Sequence, residues 1–215
     1  MKALKNIIVG FLVSFVGSIP LGYLNIVGFE IYSKFGINNL VFFLFGVISV
    51  EVFVIYFTLI FANLLANNKK LMKAIEVFAI FFLLILAYSF YSHFNQTVKN
   101  HNYLEKYIMY SPYLIGVFLN CLNFLQLPFW TGWNLYLINS KYISIERDLK
   151  YFYILGTIIG TFLGMTALIL GLNSIIKNSG SLSEYLMPVI IPMIFIGLAL
   201  FQVYKVYTKY YSFKK

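Results

Sequence analysis

The chain has 215 residues, 61% of them hydrophobic and only 11% charged, and its mean hydropathy is +0.84; a soluble globular chain carries roughly 25% charged residues. That composition excludes a water-soluble domain as the bulk of the protein. The net charge of +9 is no sign of nucleic acid, because its distribution follows the apolar segments, and the 20% aromatic content comes with Ile, Asn and Lys, as an AT-rich coding sequence would produce, so it marks no site.

A helix rises ~1.5 Å per residue and the hydrocarbon core of a bilayer is ~30 Å thick, so ~20 apolar residues make one crossing. Six stretches meet that length, at about 6–32, 39–65, 74–92, 112–139, 151–176 and 186–208. They predict an all-α integral membrane protein with six transmembrane helices in a single domain over 1–215. Barrel strands would alternate over ~10 residues, whereas these runs are continuous.

In the first stretch, Lys2 and Lys5 followed by Gly17-Ser18 imitate a signal peptide, but the apolar run continues to Tyr32 and predicts a retained helix. Pro20 lies near its middle, in Gly17-Ser18-Ile19-Pro20-Leu21-Gly22. A proline inside a helix removes one hydrogen bond and disturbs the carbonyl four residues earlier, here that of Val16. In hydrocarbon such a carbonyl needs a partner from a neighbouring helix or a water-lined cavity. Asn25 is the polar residue of this stretch best placed to line that cavity. Ser18 is a weaker candidate, because hydroxyls also bond their own helix.

The second stretch carries Glu51 at the centre of Leu40–Leu65, a segment with no other charge. An ionisable group inside a membrane marks a functional site by default. The structural reading is a protonated acid bonded to a neighbouring helix. The functional one is a proton-coupling group or an anchor for a substrate ammonium, and it is the reading favoured here. Glu30, Glu76, Asn139 and Glu184 fall near the ends of stretches, where solvation is the ordinary explanation. Glu76 also suits the positive dipole of a first helical turn.

The third connection, 95–111, is the longest and most polar, and it divides the chain into three helices plus three, a first half of about 1–94 and a second of about 112–215. Halves with an odd number of crossings insert with opposite topology, the layout of many secondary transporters. The only histidines, His93 and His101, lie at or beside this loop, so no intramembrane zinc or haem site is legible.

The fourth stretch holds Pro128 near its middle and the largest polar set: Asn120, Asn123, Gln126, Trp130, Thr131, Trp133 and Asn134. At ~100° per residue, Asn120, Asn123, Leu127, Trp130 and Asn134 share a stripe roughly 80° wide, before any bend at the proline. Asn120, Asn123, Gln126 and Trp130 are candidates for contact with substrate, with interhelical hydrogen bonding an equal reading for Asn120 and Asn123 and the better one for Asn134. The single Cys121 lies within this stretch, so no disulfide framework is available.

In the fifth stretch, Gly156, Gly160 and Gly164 recur at four-residue spacing, which suits close helix packing. Aligning Gly156 with Gly46 of the second stretch sets Thr161 opposite Glu51. Thr161 and Thr166 are, like Ser18, weaker site candidates.

With six crossings, the N-terminus, the second and fourth loops and the C-terminus share one side. That side carries Lys2, Lys5, Lys69, Lys70, Lys73, Lys141, Arg147, Lys150, Lys205, Lys209, Lys214 and Lys215, against Lys34, Lys99, Lys106 and Lys177 on the other. The asymmetry predicts both termini in the cytoplasm. A basic cytoplasmic face attracts anionic lipid, which accounts for the charge with no nucleic-acid partner.

No Walker motif, dinucleotide fingerprint or nucleophile elbow is present. One central glutamate does not make an intramembrane hydrolase, so no enzyme, catalytic set, metal or cofactor is expected.

Through Gly17-Ser18-Ile19-Pro20-Leu21-Gly22-Tyr23-Leu24-Asn25 and Gly46-Val47-Ile48-Ser49-Val50-Glu51, the chain resembles the LysE/RhtB family of amino-acid exporters, as a divergent member. That family is similar in length and number of crossings. It has a Pro-Gly-Pro-Asn type signature in its first helix, a glycine-rich segment ending in an acid in its second, and an Asn-Pro type break in its fourth. The resemblance assigns Pro20, Gly22 and Asn25 to the first motif, Gly46 and Glu51 to the second, and Asn123 with Pro128 to the third. The first motif here has one proline, Val50 stands where a glycine precedes the acid, and four residues separate Asn123 from Pro128.

The expectation is a secondary active transporter of the cytoplasmic membrane that exports amino acids or similar small solutes in exchange for protons. Half-helices opening after Pro20 and Pro128 would direct positive ends at a substrate carboxylate, while Glu51 meets its ammonium. Its partners are the lipid bilayer, a small solute and protons; a homo-oligomer is compatible with the sequence. The alternative is a non-transporting scaffold or assembly protein whose buried polar residues hold helices together.

Overall fold

A computed structural model of the chain describes residues 2–19, 22–97, 111–178, 189 and 191–211. Pro20, His101 and Glu184 lie outside the described residues, as do most of the 95–111 connection and the side chain of His93. Seven helices are described, with no strand among the described residues: α1 (Lys2–Ser18), α2 (Tyr23–Asn67), α3 (Lys69–Thr97), α4 (Pro112–Cys121), α5 (Gln126–Asn139), α6 (Leu149–Asn178) and α7 (Ile191–Tyr210). The protein is all-helical. Two of its helical segments, Tyr23–Ala62 and Leu149–Ser174, are long and apolar enough to cross a membrane, and α4 with α5, bent by 72°, makes a third if the pair is one crossing.

The helices form two compact units, Met1–Asn67 with Tyr110–Asn173 and Asn68–Met109 with Ser174–Lys215. Each unit draws on both halves of the sequence. The first contains α1, α2, α4, α5 and most of α6; the second contains α3 and α7.

Within the first unit, α2 is not straight. Gly36 has φ 79° and ψ −176°, a left-handed conformation that glycine adopts without steric cost. Gly28 faces the side chains of Leu40 and Phe43 closely enough that a Cβ there would lie within 3.5 Å of both. In a straight helix those residues would be ~18 Å or more away along the axis. The chain therefore folds back at Gly36, and the expected loop between the first two apolar stretches is reduced to one glycine joining an arm over 23–35 to an arm over 37–60.

α1 shows the inverse of a soluble helix. Its buried positions are Asn6, Gly10 and Ser14, whereas Leu4, Ile8, Leu12 and Val16 are exposed. Four-residue spacing puts each set on one face. Small and polar groups inside with aliphatic groups outside is the pattern that lipid permits and water does not.

Two seams hold the unit together, and their registers match. A Cβ added to Gly10 would strike the Tyr153 carbonyl and the Thr157 amide, and one added to Gly156 the Ile7 carbonyl. Between α4 and α2, a Cβ on Gly116 would strike the Phe43 carbonyl and the Val47 amide, and one on Gly46 the Tyr113 carbonyl. In both seams each glycine meets the carbonyl three residues before its partner glycine. Gly160 and Gly164 continue the first seam against Phe11 and Phe15, so the four-residue glycine spacing does serve close packing.

The connection from α5 to α6 is fixed from α1. The Asn6 amide donates to the Ser144 and Leu149 carbonyls, both at 2.7 Å, and accepts from the Ser144 amide at 3.2 Å. Lys141 and Arg147 in this connection have positive φ.

In the second unit, Met72, Glu76, Leu83 and Ala87 of α3 and Phe195, Ala199, Gln202 and Val206 of α7 are buried. Asn68 begins α3, its side-chain oxygen accepting from the Leu71 amide at 3.0 Å, a good N-cap arrangement. Glu76 departs from the expectation for a residue near the end of a stretch. It lies two turns into α3 rather than in the first, it is only 1% exposed, and it is paired with Lys209 at 2.8 Å. The reason is the facing helix: α7 covers the carboxylate with a cation, which a reading of α3 alone does not reveal. Partial burial pulls the Lys209 ammonium down, but Glu76 and Tyr210 together outweigh this and hold it above its usual value.

Candidate functional site

Glu51 is buried because of its register on the second arm of α2. Leu40, Phe43, Leu44, Val47, Ile48, Ile55, Thr58, Leu59 and Ala62 are buried with it, while Phe42, Phe45, Phe53, Phe57 and Ile60 are exposed. Alternating steps of three and four residues set that inner stripe, and Glu51 is its one charged member.

Two side chains face the carboxyl as hydrogen-bonding neighbours, the Thr161 hydroxyl from α6 and the Trp130 indole from α5. Behind Thr161, its hydroxyl meets that of Ser14 on α1 in a buried hydrogen bond. Glu51 Oε2 has no hydrogen-bond partner among the described residues. Four helices thus converge on one acid, and no Lys, Arg or His stands among its described bonding partners. An isolated carboxylate in such a place is costly as an anion, so the site suits a group that exchanges a proton or meets a cationic ligand. Glu51 and Thr161, each five residues beyond its seam glycine, are the pair set opposite one another by aligning Gly46 with Gly156, and in the structure they touch.

The remaining candidates divide. Asn120 is buried and donates to the Val47 carbonyl at 2.7 Å, one turn before Glu51. Gln126 donates to the Asn120 carbonyl at 3.0 Å, and Asn123 approaches Asn120 Oδ1 at 3.5 Å. Tyr23, which the sequence did not single out, donates to the Leu119 carbonyl at 2.7 Å. Tyr23 and Gln126 thus bond carbonyls of the last turn of α4, where it stops at Cys121 before α5 begins at Gln126, the repair a broken helix in hydrocarbon requires, whereas Asn120 ties α4 to α2. Asn25, buried, performs the same service across the first break by donating to the Ser18 carbonyl at 2.9 Å. Gly22 precedes α2, its carbonyl accepting from Ile26 at 3.2 Å.

The break in the fourth stretch spans 122–125, before Pro128, which is the third residue of α5. There the missing N–H falls among those a helix start leaves unpaired. The bend separates Asn120 and Asn123 from Leu127, Trp130 and Asn134 of α5, so the predicted single stripe is divided there, and within α5 two residues one turn apart take different partners. Trp130 turns to Glu51, whereas Asn134, fully buried, donates to Thr58 at 3.1 Å and accepts from Tyr153 at 2.8 Å. Gly46 is a seam contact rather than a break. Thr166 bonds the Phe162 carbonyl of its own helix.

Among the described residues no group of three or more His, Cys, Asp and Glu stands together as a metal site would require. The chain matches no protein-family model, no curated protein and no solved structure.

Proposed function

We propose that the chain is a secondary active transporter of the cytoplasmic membrane, exporting amino acids or similar small solutes in exchange for protons, with the resemblance to the LysE/RhtB exporters as the source of the substrate class. The observation that carries this reading is Glu51, buried where α1, α2, α5 and α6 converge, beside hydroxyl and indole groups and with no cation among its described bonding partners.

The reading includes six crossings, the first being α1 with the first arm of α2, and an inverted repeat of three helices. Three features support the repeat: the matched glycine seams, the meeting of the counterparts Glu51 and Thr161, and the division in which each half of the chain gives two crossings to one unit and one to the other. The lysine asymmetry supports cytoplasmic termini. Glu51 would take up a proton from one side and release it, or exchange it for a substrate ammonium, on the other.

One observation favours the scaffold alternative: Asn120, Gln126 and Asn134 are engaged with backbone or with other helices, as structural polar groups are. The test is efflux from cells preloaded with amino acids by dipeptide feeding, comparing wild type, Glu51→Gln and empty vector at matched membrane expression. Transport predicts accelerated efflux that Glu51→Gln lowers at least ~100-fold, with loss of its pH dependence. The scaffold predicts no flux from either protein and a lower folded yield for the variant.

A further inference from the structure

We propose that Thr161 and Ser14 are positioning residues that transmit the protonation state of Glu51 to the seam between α1 and α6. They have this role on the reading of Glu51 as the proton-coupling acid given above.

The chain of groups is short and buried. The Glu51 carboxyl meets the Thr161 hydroxyl, Thr161 meets the Ser14 hydroxyl, and in that contact either oxygen can be the donor. A hydroxyl has one proton to give and lone pairs to accept with. With Glu51 ionised, Thr161 must donate to the carboxylate, so its oxygen accepts from Ser14. With Glu51 protonated, the acid can donate to Thr161, which then turns its own proton to Ser14. Ser14 must in turn direct its proton elsewhere, the nearest helical acceptor being the carbonyl four residues back. One proton enters at the carboxyl, the two hydroxyl protons only rotate, and no other covalent bond changes.

The reversal ends inside a tightly packed contact. A Cβ on Gly160 would lie 3.0 Å from Ser14 Cβ, and Gly10, Gly156 and Gly164 make the same seam backbone to backbone. A change in what Ser14 donates to is therefore felt where α1 and α6 touch. Among the described residues, no other titratable group is among the partners of the carboxyl. The groups facing Glu51 are Thr161 of α6 and Trp130 of α5, and Val47, one turn before it, is bonded by Asn120 of α4; none of these titrates near neutral pH. The other buried titratable side chains described in this unit, Tyr23 and Tyr153, donate to the Leu119 carbonyl and to Asn134.

The test is pH-difference infrared spectroscopy of the full chain in lipid nanodiscs, alongside the pH profile of flux in proteoliposomes. The carboxyl C=O band that Glu51→Gln removes is that of Glu51. Thr161→Val keeps the branched shape without the hydroxyl and is expected to move this band to higher frequency and to displace the pH profile. Thr161→Ser is expected to restore both, and Ser14→Ala to move the band in the same direction by less. Should Thr161→Val not fold, Ser14→Ala against wild type gives the same reading. A band that stays in place in Thr161→Val, or in Ser14→Ala where that is the variant that folds, overturns the proposal while leaving transport untouched. A band that moves in a protein with no flux for any amino acid supports the positioning role and overturns the transport reading instead.

Discussion

Glu51 and Glu76 are both buried carboxylates, and the chain treats them oppositely. Glu76 has a cation at 2.8 Å, whereas Glu51 has only the neutral Thr161 and Trp130. The first is therefore a structural pair, and the second is the group on which the proposed function rests. The pair is also unequal in burial, since the Lys209 side chain is 46% exposed and that of Glu76 1%. Removing Lys209 strands a buried charge, whereas removing Glu76 leaves a lysine that water can reach. Lys209→Ala is accordingly expected to lower the melting temperature in detergent more than Glu76→Gln does, with the double variant closer to Glu76→Gln. Because the pair raises the lysine, its contribution is complete below the unfolded lysine value of ~10.4 and is lost as pH rises through the folded one, so the difference between wild type and variants should persist at neutral pH. Glu51 was legible in sequence because a lone charge in an apolar run is unmistakable. Its surroundings were legible only in part: the glycine alignment set Thr161 opposite it and Trp130 was a candidate, but Ser14 was not, because serine and threonine hydroxyls are common in apolar helices and usually bond their own backbone.

At the scale of elements, the seams explain which glycines matter. Gly46 and Gly116 meet backbone, which cannot move aside, whereas a Cβ on Gly132, Gly171 or Gly197 meets nothing within 4 Å. Overpacking in a close-packed contact costs roughly 1–3 kcal/mol. Gly116→Ala and Gly156→Ala are thus expected to destabilise by at least ~1 kcal/mol, and Gly132→Ala to be neutral or slightly stabilising through its better helix propensity, as measured by denaturant unfolding in micelles. The small-residue spacing of Gly156, Gly160 and Gly164 announced a packing face. It did not name the partner, and Gly10 and Gly116, which have no glycine four residues away, are identified as seam residues only by the backbone they meet. The fourth stretch shows the same division. Its proline signalled an interruption, but the turn lies at 122–125, where Tyr23 and Gln126 supply the donors that let the helix stop.

For the whole molecule, the six-crossing reading has a direct check. In a Cys121→Ser background, single cysteines placed at Lys2 and Lys214 are expected to be blocked only by a reagent that enters the cytoplasm, and one at Lys34 by an impermeant reagent from outside; labelling of residues 2 and 214 from opposite sides would remove the even number of crossings. The sequence by itself determined that the chain forms apolar helices, some long enough to cross a membrane, and where its central acid lies, because hydropathy and charge are properties of composition along the chain and need no neighbour to be read. Tertiary structure alone decided what Glu51 faces, that α2 folds back at Gly36, that Glu76 is paired and buried, and that two glycine seams share one register. Each of these depends on which helices stand together, and contacts between residues far apart in the chain leave no local pattern to read.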